Sequence, residues 1–180
     1  MGITIEDGAG SGKQAKVNDD LQLLTRAIIE SGFEFTSEDK GLSFAWASGT
    51  YDPDAGDTIL LVKNTSTTRT LHINQIWIST DTDTRVVVHL PSADVTVAGT
   101  TVTGTNLNTT SGNVADASAA RDETGNTQGV FVWTGEVMAA TNPTVIELDG
   151  ALILGTNKSI GVDFVAATTA GDVTIFGHYE

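Results

Sequence analysis

Cysteine is absent from this chain of 180 residues, which excludes disulfides and thiolate metal sites and leaves the redox compartment open. Cations are scarce: nine Lys and Arg stand against 23 Asp and Glu, a formal charge of −14. A nucleic-acid face needs clustered cations to neutralise phosphates, and here they are dispersed from Lys13 to Lys158, so no nucleic-acid partner is expected. No apolar run approaches the roughly 18 residues of a membrane helix, so no membrane partner is expected either. The start, MGITIEDGAG, lacks the charged-then-apolar pattern of a secretory signal, and Glu6 stands where a myristoylation motif wants Ser or Thr. Charged residues make up only 18% of the chain, so its polarity comes from elsewhere.

It comes from threonine, with 28 residues, accompanied by 19 glycines. β-Branched residues favour pleated strands and glycines favour turns and bulges, a balance that predicts an all-β protein. A chain of this length can bury about 70% of its unfolded surface in one domain.

The segment EDGAGSGKQAKV (6–17) poses the first chemical question, because glycines leading to a lysine suggest a phosphate loop. The P-loop requires G-x-x-x-x-G-K-[ST], whose backbone N–H groups wrap phosphates and whose hydroxyl reaches Mg²⁺. Gly8 and Gly12 are separated by three residues instead of four, and Gln14 follows Lys13, so that hydroxyl is missing. The dinucleotide pattern G-x-G-x-x-G also fails, since Gly8, Gly10 and Gly12 step by two. The glycines are better read as freedom for a tether. Residues 1–38 are therefore assigned to an N-terminal arm, and 39–180 to a β domain. Within the arm, Leu21, Leu24 and Ile28 fit a helical face while Val17, Leu21, Leu23, Ala27 and Ile29 fit a strand; the extended reading is preferred.

From Leu42 onward, apolar residues alternate and turn formers punctuate. LSFAWA, TILLVKN, TLHINQIWIST and RVVVHL read as strands, the last stopped by Pro91. In the third, Leu71, Ile73 and Gln75 are expected on one face, with His72, Asn74 and Ile76 on the other. Residues 92–128 form a long polar excursion in which short strands are expected within DVTVAG, TTVTGTNLN and NVADASAAR. GVFVWTGEV, PTVIELDGALIL, SIGVDFVA and GDVTIFGHY close the chain, with GALILGTNKSIGVDF reading as a hairpin. About eight strands and one long central connection predict a jelly-roll-like β-sandwich behind an extended N-terminal arm.

No catalytic residue is assigned. His72, His89 and His178 fall in different strands, and neither H-E-x-x-H nor G-x-S-x-G occurs. In YDPDAGDT, counting from Asp52 as in an EF-hand loop puts Asp57 where glycine belongs and Lys63 where the last carboxylate belongs, so no metal and no cofactor is assigned. Trp46, Trp77 and Trp133 are candidate interface or recognition aromatics, because an indole offers a flat apolar face with a polar handle.

Four stretches carry a likeness across nearly the whole chain: IEDGAGSGKQAKVNDDLQL (5–23), TTVTGTNLNTTSGN (100–113), ALILGTNKSIGVDF (151–164) and VTIFGHY (173–179). In these the chain resembles the capsid decoration (cement) and head-fibre-base proteins of tailed bacteriophages. The resemblance implies a virion component on the capsid surface, a jelly roll forming a homotrimer, with the major capsid protein as partner and no enzymatic activity. In that reading Ile5, Gly8, Gly10, Gly12, Lys13 and Val17 belong to the capsid-binding arm. The alternative is a receptor- or glycan-binding module of a head or tail fibre or baseplate.

Overall fold

A computed structural model describes residues 32–55, 57–92, 95–124, 126–139 and 142–180. The arm residues Ile5, Gly8, Gly10, Gly12, Lys13 and Val17, and the helix-or-strand question over 18–30, lie outside the described residues. Gly32–Glu180 forms one compact unit. Its first turns are helical: α1 (Gly32–Phe35) runs into a π-helical turn (Thr36–Lys40) that ends on left-handed Gly41. Residues 32–38, placed in the arm by sequence, thus form a turn seated on the sandwich, where Ser43 Oγ donates to the Phe33 carbonyl and Asn108 Nδ2 donates to that of Ser37.

Eleven strands follow: β1 (Ser43–Ala47), β2 (Thr58–Asn64), β3 (Leu71–Thr80), β4 (Thr84–Leu90), β5 (Thr100–Val102), β6 (Thr105–Asn106), β7 (Ala117–Arg121), β8 (Val130–Val137), β9 (Thr144–Leu154), β10 (Ser159–Phe164) and β11 (Gly171–Tyr179). They build two antiparallel sheets, ordered β6-β1-β11-β3-β9 and β5-β7-β2-β10-β4-β8. Setting aside the short β5, β6 and β7, the eight remaining strands form two four-stranded sheets in the double Greek-key order of a jelly roll. The sequence reading of an all-β jelly-roll sandwich is borne out. So are short strands in the central excursion, at TTVTGTNLN and NVADASAAR, whereas DVTVAG forms none among its described residues.

The core lies between the sheets, with Phe44, Trp46, Ile76, Ile78, Val86, Val88, Ile160, Val162, Ile175 and Tyr179 among its buried members. Burial also tells the two sheets apart. β9 alternates exposed and covered residues, as a strand with one wet face should. β10 is buried at every position and β2 at all but Lys63, so their outer face is covered too. The central excursion is the cover. Lys63 Nζ donates to the Val95 carbonyl, Asn126 Nδ2 to Thr58 Oγ1 and Gln128 Nε2 to Asp163, while Glu123 accepts the Ala98 and Gly99 amides.

Two sequence expectations are corrected. GALILGTNKSIGVDF is no hairpin: β9 pairs with β3 and β10 with β2 and β4, so the GTNK turn crosses from one sheet to the other. A tight turn has the same residues in either case, and only pairing distinguishes them. In β3, Asn74 is an extra residue that shifts the register between Ile73 and Gln75. One added residue reverses every side chain beyond it, so Ile76 joins Leu71 and Ile73 in the core while Gln75 and Trp77 face out.

Candidate functional site

The bulge at Asn74 helps to build a polar cluster on the outer face of the first sheet. The β3–β11 register sets His72 directly opposite His178, and their rings stack at 5.1 Å with 26° between planes. His178 Nδ1 lies 2.8 Å from Asn74 Oδ1, the side chain that the bulge re-aims. His72 Nδ1 lies 3.1 Å from the Gly150 carbonyl, supplied by an irregular stretch of β9 in which Asp149 and Gly150 are both left-handed. Gly150 is required there: at φ 75° a side chain is strained, and a Cβ would stand 3.3 Å from the His178 ring.

Both Nδ1 atoms thus face acceptors and carry hydrogen, and the ring nitrogens left over are the two Nε2 atoms. These point at one carboxylate: Glu180 lies 3.6 Å from His72 Nε2 and 3.4 Å from His178 Nε2. Thr70 Oγ1 also sits 3.1 Å from His72 Nε2. Burial holds the His178 pKa below its ordinary value, with His72 and Lys40 adding to the effect and Glu180 opposing it. Over this ring Phe33 of α1 packs edge-on at 6.0 Å.

The third histidine is elsewhere. His89 is fully buried beneath the excursion, its Nε2 3.1 Å from Asp163, while its Nδ1 has no partner. Asp163 also accepts from Gln128 Nε2, so the buried His89–Asp163 pair ties the covering loop to the sheet. Among the described residues no group of three or more His, Cys, Asp or Glu is arranged to hold a metal ion, and no helix is long and apolar enough to cross a membrane. The YDPDAGDT loop instead concentrates like charge: partial burial and the neighbouring Asp122, Asp54 and Asp163 raise the pKa of Asp57. Burial lifts the Tyr51 phenol to about 12, and its hydroxyl donates to the Ile59 carbonyl.

The three tryptophans separate. Trp46 is fully buried, its Nε1 without a partner, so it is a core residue whose ring is closed to any ligand. Trp133 is partly buried against the core from β8. Only Trp77 offers its ring outward, 43% exposed, fixed by a hydrogen bond from Nε1 to Gln75 Oε1 and by Phe176 at 5.5 Å. Gln75 in turn donates to Glu147 at 2.7 Å, making a rigid aromatic-and-polar platform.

The lateral sides of the sandwich also differ. On one, β6 covers the edge of β1, and β7 with β5 covers the edge of β2. On the other, β8 and β9 are the last strands of their sheets, and Val130, Phe131, Val145 and Ile153 stand 70%, 56%, 43% and 53% exposed. A small pocket of about 150 Å³ opens there beside Leu90, Pro91 and Ile153. Sequence reading located these strands but did not see that two of them share an open side, or that His72 and His178 meet. No local pattern announces either, because both depend on strand order and on one bulge. Compared with known proteins, the chain matches no family model, no curated protein and no solved structure.

Proposed function

We propose that this protein is a non-enzymatic structural component of a phage-like particle, decorating the capsid surface and stabilising it by bridging subunits of the major capsid protein. The observation that carries this reading is the asymmetry of the jelly roll. Its own excursion caps one pair of sheet edges, while among the described residues β8 and β9 end their sheets on the opposite side and carry four large exposed apolar residues. Unpaired sheet edges and exposed large apolar residues are features of association sites, and natural proteins otherwise blunt them. Copies of the chain meeting through this side, as a homotrimer, fit the reading. The glycine-laced arm, with Ile5, Gly8, Gly10, Gly12, Lys13 and Val17, is the segment proposed to engage the capsid by main-chain hydrogen bonding.

A second reading, a receptor- or glycan-binding module of a fibre or baseplate, is favoured by Trp77. A hydrogen-bonded indole beside Gln75 and Glu147 provides both a stacking face and polar groups suited to hydroxyls. One experiment separates the two. Purified particles are stripped and the protein counted, and full-length chain is compared with a form lacking residues 1–20 in rebinding. Many copies on the head, lost with the arm, support decoration. Few copies at the tail, or glycan binding abolished by Trp77→Ala, overturn it in favour of recognition.

A further inference from the structure

We propose that the outer face of the first sheet around Trp77 is a docking site for an arginine side chain presented by a partner protein. Charge is the first reason. The strands of this sheet, β6, β1, β11, β3 and β9, contain Asp172, Glu147 and Asp149 but no Lys or Arg. The basic residues that lie in strands, Lys63, Arg85 and Arg121, all belong to the second sheet. Among the described residues, Asp172, Glu147 and Asp149 form no salt bridge, and Glu147 and Asp149 are exposed. The first sheet is therefore negative throughout and suited to a cation.

Geometry is the second. The β3–β9 register sets Trp77 opposite Val145 and Gln75 opposite Glu147. Trp77 and Glu147 are thus diagonal neighbours on one face, both within reach of one long side chain. Gln75 holds the two in place. Its Oε1 accepts from Trp77 Nε1 at 3.2 Å and its Nε2 donates to Glu147 Oε2 at 2.7 Å, while Phe176 supports the indole at 5.5 Å. A carboxylate has further acceptor sites, so Glu147 has room for another N–H beside the exposed ring. A planar guanidinium laid on the indole uses both groups at once, stacking by its face and donating from its edge. The protein makes this stack once within itself: Arg121 lies over the Tyr51 ring at 5.2 Å while donating to the Ser48 carbonyl at 2.8 Å.

Other occupants use less of the site. A lysine ammonium is a strongly hydrated point charge with no plane to stack. A neutral sugar stacks on the indole but offers no charge for the carboxylates to attract. The first sheet of a second copy sets carboxylates against carboxylates. The arginines among the described residues are already engaged, Arg69 with Asp116, Arg85 with Thr134 and Arg121 with Ser48. In the particle reading, on which the partner's identity rests, the arginine belongs to the major capsid protein, and its contact adds to that of the arm.

Magnetic-resonance titration of the isotope-labelled full-length protein tests the site. The probes are acetyl-Gly-Arg-Gly-amide, its lysine counterpart and its citrulline counterpart, which keeps the shape of arginine without the charge. The readout is the Trp77 indole resonance, identified by its loss in Trp77→Phe. At low salt the arginine peptide is expected to shift it saturably, to bind about fivefold more tightly than the citrulline peptide, and to weaken as salt is added. Glu147→Gln is expected to bring the arginine peptide close to the citrulline peptide. Trp77→Ala, read at the Glu147 amide, is expected to weaken arginine binding about fivefold. Unmoved indole resonances of Trp46 and Trp133 show that both variants are folded. No saturable shift, or equal binding of the arginine and citrulline peptides, overturns the site. Lactose binding more tightly than the arginine peptide overturns it in favour of a glycan. Rebinding to stripped particles is read separately. A fall with Trp77→Ala assigns the arginine to the capsid. Full rebinding by Trp77→Ala, once its peptide binding is lost, keeps the docking site and removes the capsid as its partner.

Discussion

At the scale of single residues, burial of ionisable groups sets how stability answers to pH. The folded state holds His178 below the ordinary histidine value of 6.5, chiefly because its ring is buried. A depressed histidine binds its proton more readily when unfolded. Its contribution is therefore complete above about pH 6.5 and is lost as pH falls, by at most about 1.4 kcal/mol per pH unit for one proton. Denaturant melts at pH 8 and pH 5 should show this loss, and His178→Gln should flatten it. Asp57 behaves oppositely to a paired carboxylate. Its pKa is raised by partial burial and by Asp122, Asp54 and Asp163, so its charged form is a liability in the folded state at neutral pH. Asp57→Asn is expected to stabilise the protein slightly at pH 7, by about 0.5 kcal/mol or less, with the gain vanishing near pH 3 where both side chains are neutral. Gly161 is a packing site: a Cβ there would lie 2.9 Å from His89 Nε2, within the His89–Asp163 pair. Gly161→Ala should cost about 1–3 kcal/mol in a urea melt, as overpacking does.

At the scale of elements, the open side and the covering excursion divide the molecule's tasks. β8, the last strand of its sheet among the described residues, carries Val130 and Phe131 into solvent, and β9 carries Val145 and Ile153. If copies meet there, Val130→Asp with Phe131→Asp should lower the assembled mass seen by light scattering to that of one chain. Val165→Asp, which alters an exposed apolar residue outside β8 and β9, should leave it unchanged. The elements themselves were legible in the sequence. Alternation at Leu42, Phe44 and Trp46 marked β1, Pro91 marked the end of β4, and TILLVKN read as a strand, though not as one buried on both faces. Partnership was not legible. The GTNK turn reads as a hairpin because the same small polar residues close a hairpin or turn a corner between sheets. The bulge at Asn74 left no trace either, since Asn alternates acceptably in a strand until its partner strands impose a register. That bulge aims Asn74 at His178, and so hid the cluster as well. Of the tryptophans, composition could not say which ring would be exposed. Trp46 sits in the centre of the core and Trp77 lies outward only because it follows the bulge.

At the scale of the whole molecule, charge governs what it can approach. A formal charge of −14 makes two copies repel each other at long range, and β8 itself contributes a single formal charge, Glu136, whose cross-strand partner is Arg85. The open side is thus where apolar contact can outweigh the general repulsion. Salt then acts in a defined direction. The Debye length falls from about 30 Å at 0.01 M to about 8 Å at 0.15 M, so screening removes most of the long-range penalty while leaving apolar burial intact. Self-association should therefore strengthen with ionic strength, by about tenfold between 20 mM and 500 mM sodium chloride, or about 1.4 kcal/mol. This is the reverse of a phosphate-binding protein, whose affinity falls as counterion release loses its advantage. Sedimentation equilibrium across that range measures it. Association that weakens with added salt would mean that attractive ion pairs join the copies, and would remove the β8–β9 side from the account.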